Sequence, residues 1–182
     1  DLHVRSRRQR QMCIRDRVGT QMFNDPDRTW DIFDLGIKSD EEIADIFCKK
    51  YPGDEDVIRW FIRHGEYMQV PRPKVWKKVH ELKQKGYKIY ILSNYPESLF
   101  KKHTEYADFM DDIDGLMVSY MIHKAKPAED IYKALCDKYG LDRSESVFFD
   151  DRSENVEGAV KFGMKSVKIL SEQVLLDELD RF

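Results

Sequence analysis

Three short polar features of this 182-residue chain have residue types that suit chemistry: Ser93-Asn94, Lys126-Pro127 and Asp150-Asp151. Taken singly, Ser93 reads equally well as a loop or N-cap residue, and Lys126 as a solvated surface lysine. The acid pair is harder to dismiss. Two adjacent carboxylates directly after Val147-Phe148-Phe149 repel each other beside a low-dielectric core, and a neighbouring cation relieves that repulsion. Oxygen donors of this kind suit a hard ion such as Mg²⁺.

The elements around them must place all three at one end of a sheet. Lys74 to Lys85 reads as a helix with Val75, Val79 and Leu82 inward, stopped by Gly86. Strands are predicted at Tyr87–Leu92, Gly115–Ser119, Ser146–Phe149 and Ser166–Leu170. Between them lie helices at Ala128–Tyr139, closed by Gly140, and at Ser153–Phe162, stopped by Gly163. Strands alternating with helices imply βαβ units and a parallel sheet covered on both faces. Ligands of such sheets bind beyond the carboxyl ends of the strands, where each of the three features falls. Upstream, residues 18–72 are helical and aromatic. Ser39 to Glu42 forms a capping box, Ile43, Ile46 and Phe47 follow at helical spacing, and Val57, Trp60 and Phe61 make a second stripe.

Composition narrows the class. A net charge of -3 leaves no overall basic footprint for nucleic acid. No apolar run is long enough to span a membrane, and the N-terminus has no signal-like stretch. Cys13, Cys48 and Cys136 are too scattered for a disulfide framework, so a cytoplasmic setting is expected. The average conceals a break. Residues 1–17 hold six arginines, no lysine and two aspartates, whereas the remainder holds 18 lysines, seven arginines and 32 acids. The run Gln11-Met12-Cys13-Ile14-Arg15-Asp16-Arg17 resembles translated sequencing-adapter read-through, so residues 1–17 are read as a non-native segment; the competing reading is a nucleic-acid-binding arm. The expected organisation is therefore 1–17 foreign, 18–72 a partial helical cap, and 73–182 an α/β core.

The motifs resemble the haloacid dehalogenase superfamily of hydrolases. Tyr87–Asn94 is similar to that family's second motif, a strand ending in Ser or Thr. His123-Lys124-Ala125-Lys126-Pro127 is similar to the third, whose lysine precedes proline, hence Lys126 rather than Lys124. Val147 to Asn155 is similar to the acidic fourth motif, and Val156-Glu157-Gly158-Ala159 continues it. Trp30 to Gly36 and the helices as far as Tyr67 resemble the helical cap. The resemblance implies a Rossmann-like parallel sheet and a small phosphorylated substrate. It also implies Mg²⁺ held mainly by Asp151 with Asp150 as helper. Ser93 and the Asn94 backbone N–H would bind a phosphoryl oxygen, and Lys126 would supply fixed positive charge. Asn155 stands where relatives often carry an acid.

One departure matters. The family's first motif is a strand followed by Asp-x-Asp, and nothing here matches it. The nearest stretch, Cys13 to Thr20, offers Asp16 but places Val18 where the second aspartate belongs. The central, nucleophile-bearing strand is therefore expected to be absent, leaving either a gap at the sheet centre or residues 10–17 drafted in as a substitute. Three readings follow: a Mg²⁺-dependent phosphatase acting through an aspartyl-phosphate in the complete protein, a 2-haloacid dehalogenase-like hydrolase, or a non-catalytic fragment. The acid pair favours the first over the second. A response-regulator receiver carries its acids first and its lysine last, the reverse of this order. Trp30, Phe33, Trp60, Phe61 and Tyr67 are candidates for the cap face that selects the leaving group, although such stripes are commonly core.

Overall fold

A computed structural model describes residues 16–65 and 70–182. Four helices come first: α1 at residues 16–23, α2 at Thr29–Asp34, α3 at Asp40–Lys50 and α4 at Glu55–Arg63. The predicted capping box opens α3. Ser39 Oγ accepts the Glu42 N–H at 3.3 Å, and Glu42 Oε2 accepts the Ser39 N–H at 2.9 Å. The entry to α2 is held by buried Asp25, whose Oδ2 accepts from the Thr29 N–H, the Thr29 hydroxyl and Lys50 Nζ. Val18, Met22, Phe33, Ile43, Phe47, Ile58 and Ile62 close a first apolar core, and Leu99 joins them from the other half of the chain. On α4 the inward face is Ile58, Phe61 and Ile62; of the predicted stripe of Val57, Trp60 and Phe61, Phe61 is buried and the other two are partly buried at its edge.

The α/β part follows: α5 (Pro73–Gln84), β1 (Tyr90–Ser93), α6 (Glu97–Thr104), β2 (Gly115–Val118), α7 (Ser119–Ile122), α8 (Glu129–Tyr139), β3 (Val147–Asp150), α9 (Ser153–Phe162), β4 (Lys165–Lys168) and α10 (Glu172–Leu179). Helix α5 begins on a proline, whose missing N–H is not needed there. It ends where Gly86 takes a left-handed φ of 91° and the Tyr87 N–H reaches the Leu82 carbonyl. That wrap-back keeps Tyr87 and Lys88 out of the ladder, so β1 starts three residues later than predicted. Ser93 is consequently the last strand residue rather than the first loop residue, and Asp150 likewise ends β3.

Strands β1 and β2 pair in parallel, Tyr90 opposite Gly115 through Ser93 opposite Val118. Strands β3 and β4 pair in parallel, Val147 opposite Lys165 through Asp150 opposite Lys168. Among the described residues these are two separate two-stranded sheets, with β1 and β3 each lacking a partner on the other side. The described residues contribute no strand between the two pairs. The alternative expectation, a substitute strand from residues 10–17, falls mostly outside the described part. Asp16 and Arg17 are helical, and Arg17 pairs with Asp54 at 2.7 Å; residues 10–15 lie outside the described part. Helix α1 also runs across the expected boundary at residue 17.

A second core packs α8 and α9 on the sheets through Met117, Ile131, Tyr132, Leu135, Phe148, Ala159 and Phe162. Gly158 permits a close approach. A Cβ there would sit 2.6 Å from the Pro127 carbonyl oxygen, so α9 lies directly against the loop that carries Lys126. Cys48 and Cys136 are free thiols, and among the described residues no helix is long and apolar enough to cross a membrane.

Candidate active site

The loop between α7 and α8 is tied to the end of β1 by a reciprocal pair. Asn94 Nδ2 donates to the Lys126 carbonyl at 2.9 Å, and the Lys126 N–H donates to Asn94 Oδ1 at 2.8 Å. With its backbone fixed, Lys126 sends its ammonium between the two sheets. It donates to the Leu92 carbonyl of β1 at 2.8 Å and to Asp150 Oδ2 at the end of β3 at 2.7 Å. The Phe148 ring lies 5.3 Å from the same nitrogen. An unpaired backbone carbonyl and a buried carboxylate would each be costly alone. Lys126 satisfies both.

Asp150 Oδ1 accepts from the Arg152 N–H and from Asn155 Nδ2, each at 2.9 Å. Its carboxylate is thus engaged by three donors. Asp151 differs: it is exposed, and its carboxylate has no hydrogen-bond or ion-pair partner among the described residues. Asn155 Oδ1 is a further buried oxygen in this loop–helix corner with no partner among the described residues. Tyr132 donates its hydroxyl to the Asn155 carbonyl at 2.7 Å, and burial raises its pKa well above the phenol range, keeping it protonated.

These donors suit a hard cation only in part. Asp151 offers uncommitted oxygens of the right chemistry and Asn155 Oδ1 another polar atom. Asp150 is occupied by Lys126, and among the described residues no three acids, histidines or cysteines cluster as a complete metal site. Three Asp-x-Asp strings do occur, at 25–27, 54–56 and 112–114. None ends a strand: Asp25 and Asp27 bind Lys50, Asp54 binds Arg17, and Asp114 precedes β2.

The sequence did not single out the groups that dock the first four helices onto the strand ends. Fully buried Ser119, just past β2, accepts the Tyr95 N–H at 2.9 Å and donates to the Asp34 carbonyl. His123 Nδ1 donates to the Leu35 carbonyl at 2.7 Å. Gly36, at φ 64°, leaves room for Tyr120, whose Cβ would lie 2.8 Å from any side chain placed there. The result sets Asp34 over the site. Burial pushes its carboxyl up to about 7; Asp31 adds to the rise, and Arg152, a bond from Trp30 and Lys126 oppose it. An acid inside Ile32-Phe33-Asp34-Leu35 was the available sequence signal. A cavity of about 770 Å³ opens beside it, lined by Asp16, Phe23, Trp30, Asp34, Trp60, Phe61, His64, Asn94 and Tyr95 among others. Of the predicted aromatic face, Trp30, Trp60 and Phe61 line this cavity, Phe33 is buried in the first core, and Tyr67 lies outside the described residues.

The chain thus presents a parallel α/β core with a lysine–aspartate pair at its strand ends and helices packed over them. The family model for haloacid dehalogenase-like hydrolases matches residues 30–163, and the chain belongs to that family. It is 27% identical over 153 residues to sesquiterpene phosphatase astK of Aspergillus oryzae, covering 83% of this chain and 77% of that one. It is 26% identical over 129 residues to (S)-2-haloacid dehalogenase of Pseudomonas sp. strain YL, covering 71% of this chain and 49% of that one. The chain spans about half the length of most of the curated relatives it matches. In fold it is similar to HAD family enzyme bt-2542 of Bacteroides thetaiotaomicron, solved with magnesium and inorganic phosphate. That match has a TM-score of 0.65 at 19% identity and covers 87% of this chain and 86% of that one.

Proposed function

We propose that this chain is the larger part of a Mg²⁺-dependent phosphatase for small phosphorylated metabolites, with residues 18–72 as its cap and 73–182 as its core. The observation that carries the reading is the ammonium of Lys126, which joins the carbonyl of Leu92, the residue before Ser93, to Asp150, the residue before Asp151. In this reading Ser93 donates its hydroxyl, and Asn94 its N–H, to phosphoryl oxygens. Lys126 holds positive charge where negative charge builds up on the transferred group. Asp150 holds that lysine in place, and Asn155 supports Asp150. Asp151 is the ligand for Mg²⁺, which when bound neutralises phosphate charge that otherwise repels an attacking carboxylate.

The attacking aspartate belongs to a strand-end Asp-x-Asp that these residues do not supply. The chain as given is therefore expected to bind phosphate without turning substrate over. A cytoplasmic enzyme of this kind needs neither nucleic acid nor a membrane for the chemistry. The reading is tested by ³¹P NMR titration of inorganic phosphate into the chain. Binding should require Mg²⁺ and vanish in Asp151→Asn and weaken in Ser93→Ala; Mg²⁺-independent binding that survives both substitutions contradicts it.

The similarity to a 2-haloacid dehalogenase supports a second reading, attack on carbon with halide release. That chemistry has no use for Mg²⁺, so the same titration separates the two.

A further inference from the structure

We propose that the cavity beside Asp34 is a leaving-group pocket for phosphate esters of amino alcohols, with Asp34 receiving the ammonium group. The phosphoryl end of this proposal rests on the phosphatase reading; the ammonium end does not.

The cavity, about 770 Å³, is the size of a small-molecule site. Its walls are unusually rich in π faces: Phe23, Trp30, Trp60, Phe61 and Tyr95. Trp30 packs against Phe23 and Phe61 with centroids 4.4 and 6.3 Å away, so these three rings form one contiguous part of the wall, backed by buried Phe33. Aromatic faces attract an alkylammonium through their quadrupoles, and more strongly when water is excluded.

Asp34 supplies the second half of the argument. The charged and titratable groups around it are Asp31 on its own helix, Arg152 after β3, Lys126 before α8 and Tyr95 after β1. Burial and Asp31 outweigh the two cations, which leaves the carboxyl up at about 7. A half-buried carboxylate whose charge is under-compensated is completed by a cation, and the cavity is where one enters. Asp16 and His64 are the other titratable groups on the lining. Asn94 lies on the lining as well, one residue beyond Ser93 and bonded to the backbone of Lys126. A ligand with its phosphate at the strand ends therefore extends its other end into the aromatic walls. Hydrolysis of such an ester consumes one water and releases inorganic phosphate and the free amino alcohol.

The test uses the full chain without metal or phosphate, so that it succeeds or fails independently of the phosphatase reading. Tryptophan fluorescence, reporting from Trp30 and Trp60, is titrated with choline and with its neutral carbon isostere 3,3-dimethylbutan-1-ol. Choline is expected to give a saturable change and to bind at least about tenfold more tightly than the isostere. In Asp34→Asn, choline should lose about tenfold in affinity while the isostere is unaffected. Wild-type choline affinity should rise with pH through 7, where Asp34 becomes charged, and this rise should shrink in Asp34→Asn. Equal binding of choline and isostere to the wild-type chain, or no saturable change with either, overturns the proposal. That comparison decides alone if the variant does not fold.

Discussion

Lys126 and Asp150 meet at 2.7 Å with side chains only 9% and 6% exposed, and the same ammonium also takes the carbonyl of Leu92. One side chain thus links the ends of two strands that do not pair with each other. Removing one partner of a buried pair costs about 3–5 kcal/mol because the other charge is left stranded. Lys126→Met is expected to lower the unfolding free energy by that amount, read as a fall in urea midpoint at constant m-value. Adding Asp150→Asn should recover much of the loss. A single variant with an unchanged midpoint contradicts the role given to Lys126.

Asp34 gives a pH signature of opposite sense to an ordinary surface carboxylate. Its folded-state value, about 7, lies above the unfolded value of 3.8, with burial as the main cause. The folded state holds the proton more tightly, so the stability this group contributes is complete below 3.8 and is lost as pH rises to about 7. Asp34→Asn should therefore be more stable than the wild type at pH 8, on the order of 2 kcal/mol after allowing for partial exposure. At pH 3.5 the two should coincide. Equal stability at both pH values means that Asp34 is as well solvated in the fold as out of it.

Asp114 behaves in the reverse way. Desolvation raises its carboxyl, but bonds from Lys83, the Ile89 N–H and Lys88 outweigh this and hold it at about 2. The folded value is depressed, so its contribution is present above 3.8 and disappears as pH falls to about 2. The group stitches the segment before β1 to the start of β2. Asp114→Asn should cost about 1 kcal/mol at pH 7 once solvent screening is allowed for, and nothing near pH 2. Thermal melts at the two pH values check the difference.

Gly158 is where α9 meets the Lys126 loop. Its substitution by alanine places a methyl group 2.6 Å from the Pro127 carbonyl, a backbone atom that cannot rotate away. Gly158→Ala should destabilise by about 1–3 kcal/mol through overpacking, despite alanine's better helix propensity. Phosphate binding should weaken with it, because Lys126 moves with the loop. A stabilised variant would show that α9 is free to shift.

Much of this architecture was legible from residue patterns. Apolar runs bounded by glycines located all four strands, and Ser39 to Glu42 located α3, because both signals are local and strong. Strand limits slipped by one to three residues where a helix-ending turn took residues out of the ladder, as Gly86 did with Tyr87 and Lys88. The strand-end lysine and acids were found by residue type. Their division of labour was not, since only three dimensions show that Lys126 engages Asp150 and leaves Asp151 exposed. Asp34, Ser119 and His123 were missed for a related reason. Their contacts join residues more than eighty positions apart, beyond the reach of any local pattern.

The most direct measurement of the central claim is phosphate-ester hydrolysis by this chain joined, at its N-terminal end, to a strand that ends in Asp-x-Asp. In this account the added strand lies beside β1 and β3, whose ends Lys126 joins. Turnover of p-nitrophenyl phosphate should appear only in the extended protein, require Mg²⁺, and disappear in Asp151→Asn, while the 182-residue chain remains inactive. Full Mg²⁺-dependent turnover in the Asp151→Asn protein, or hydrolysis by the unextended chain, would contradict the account.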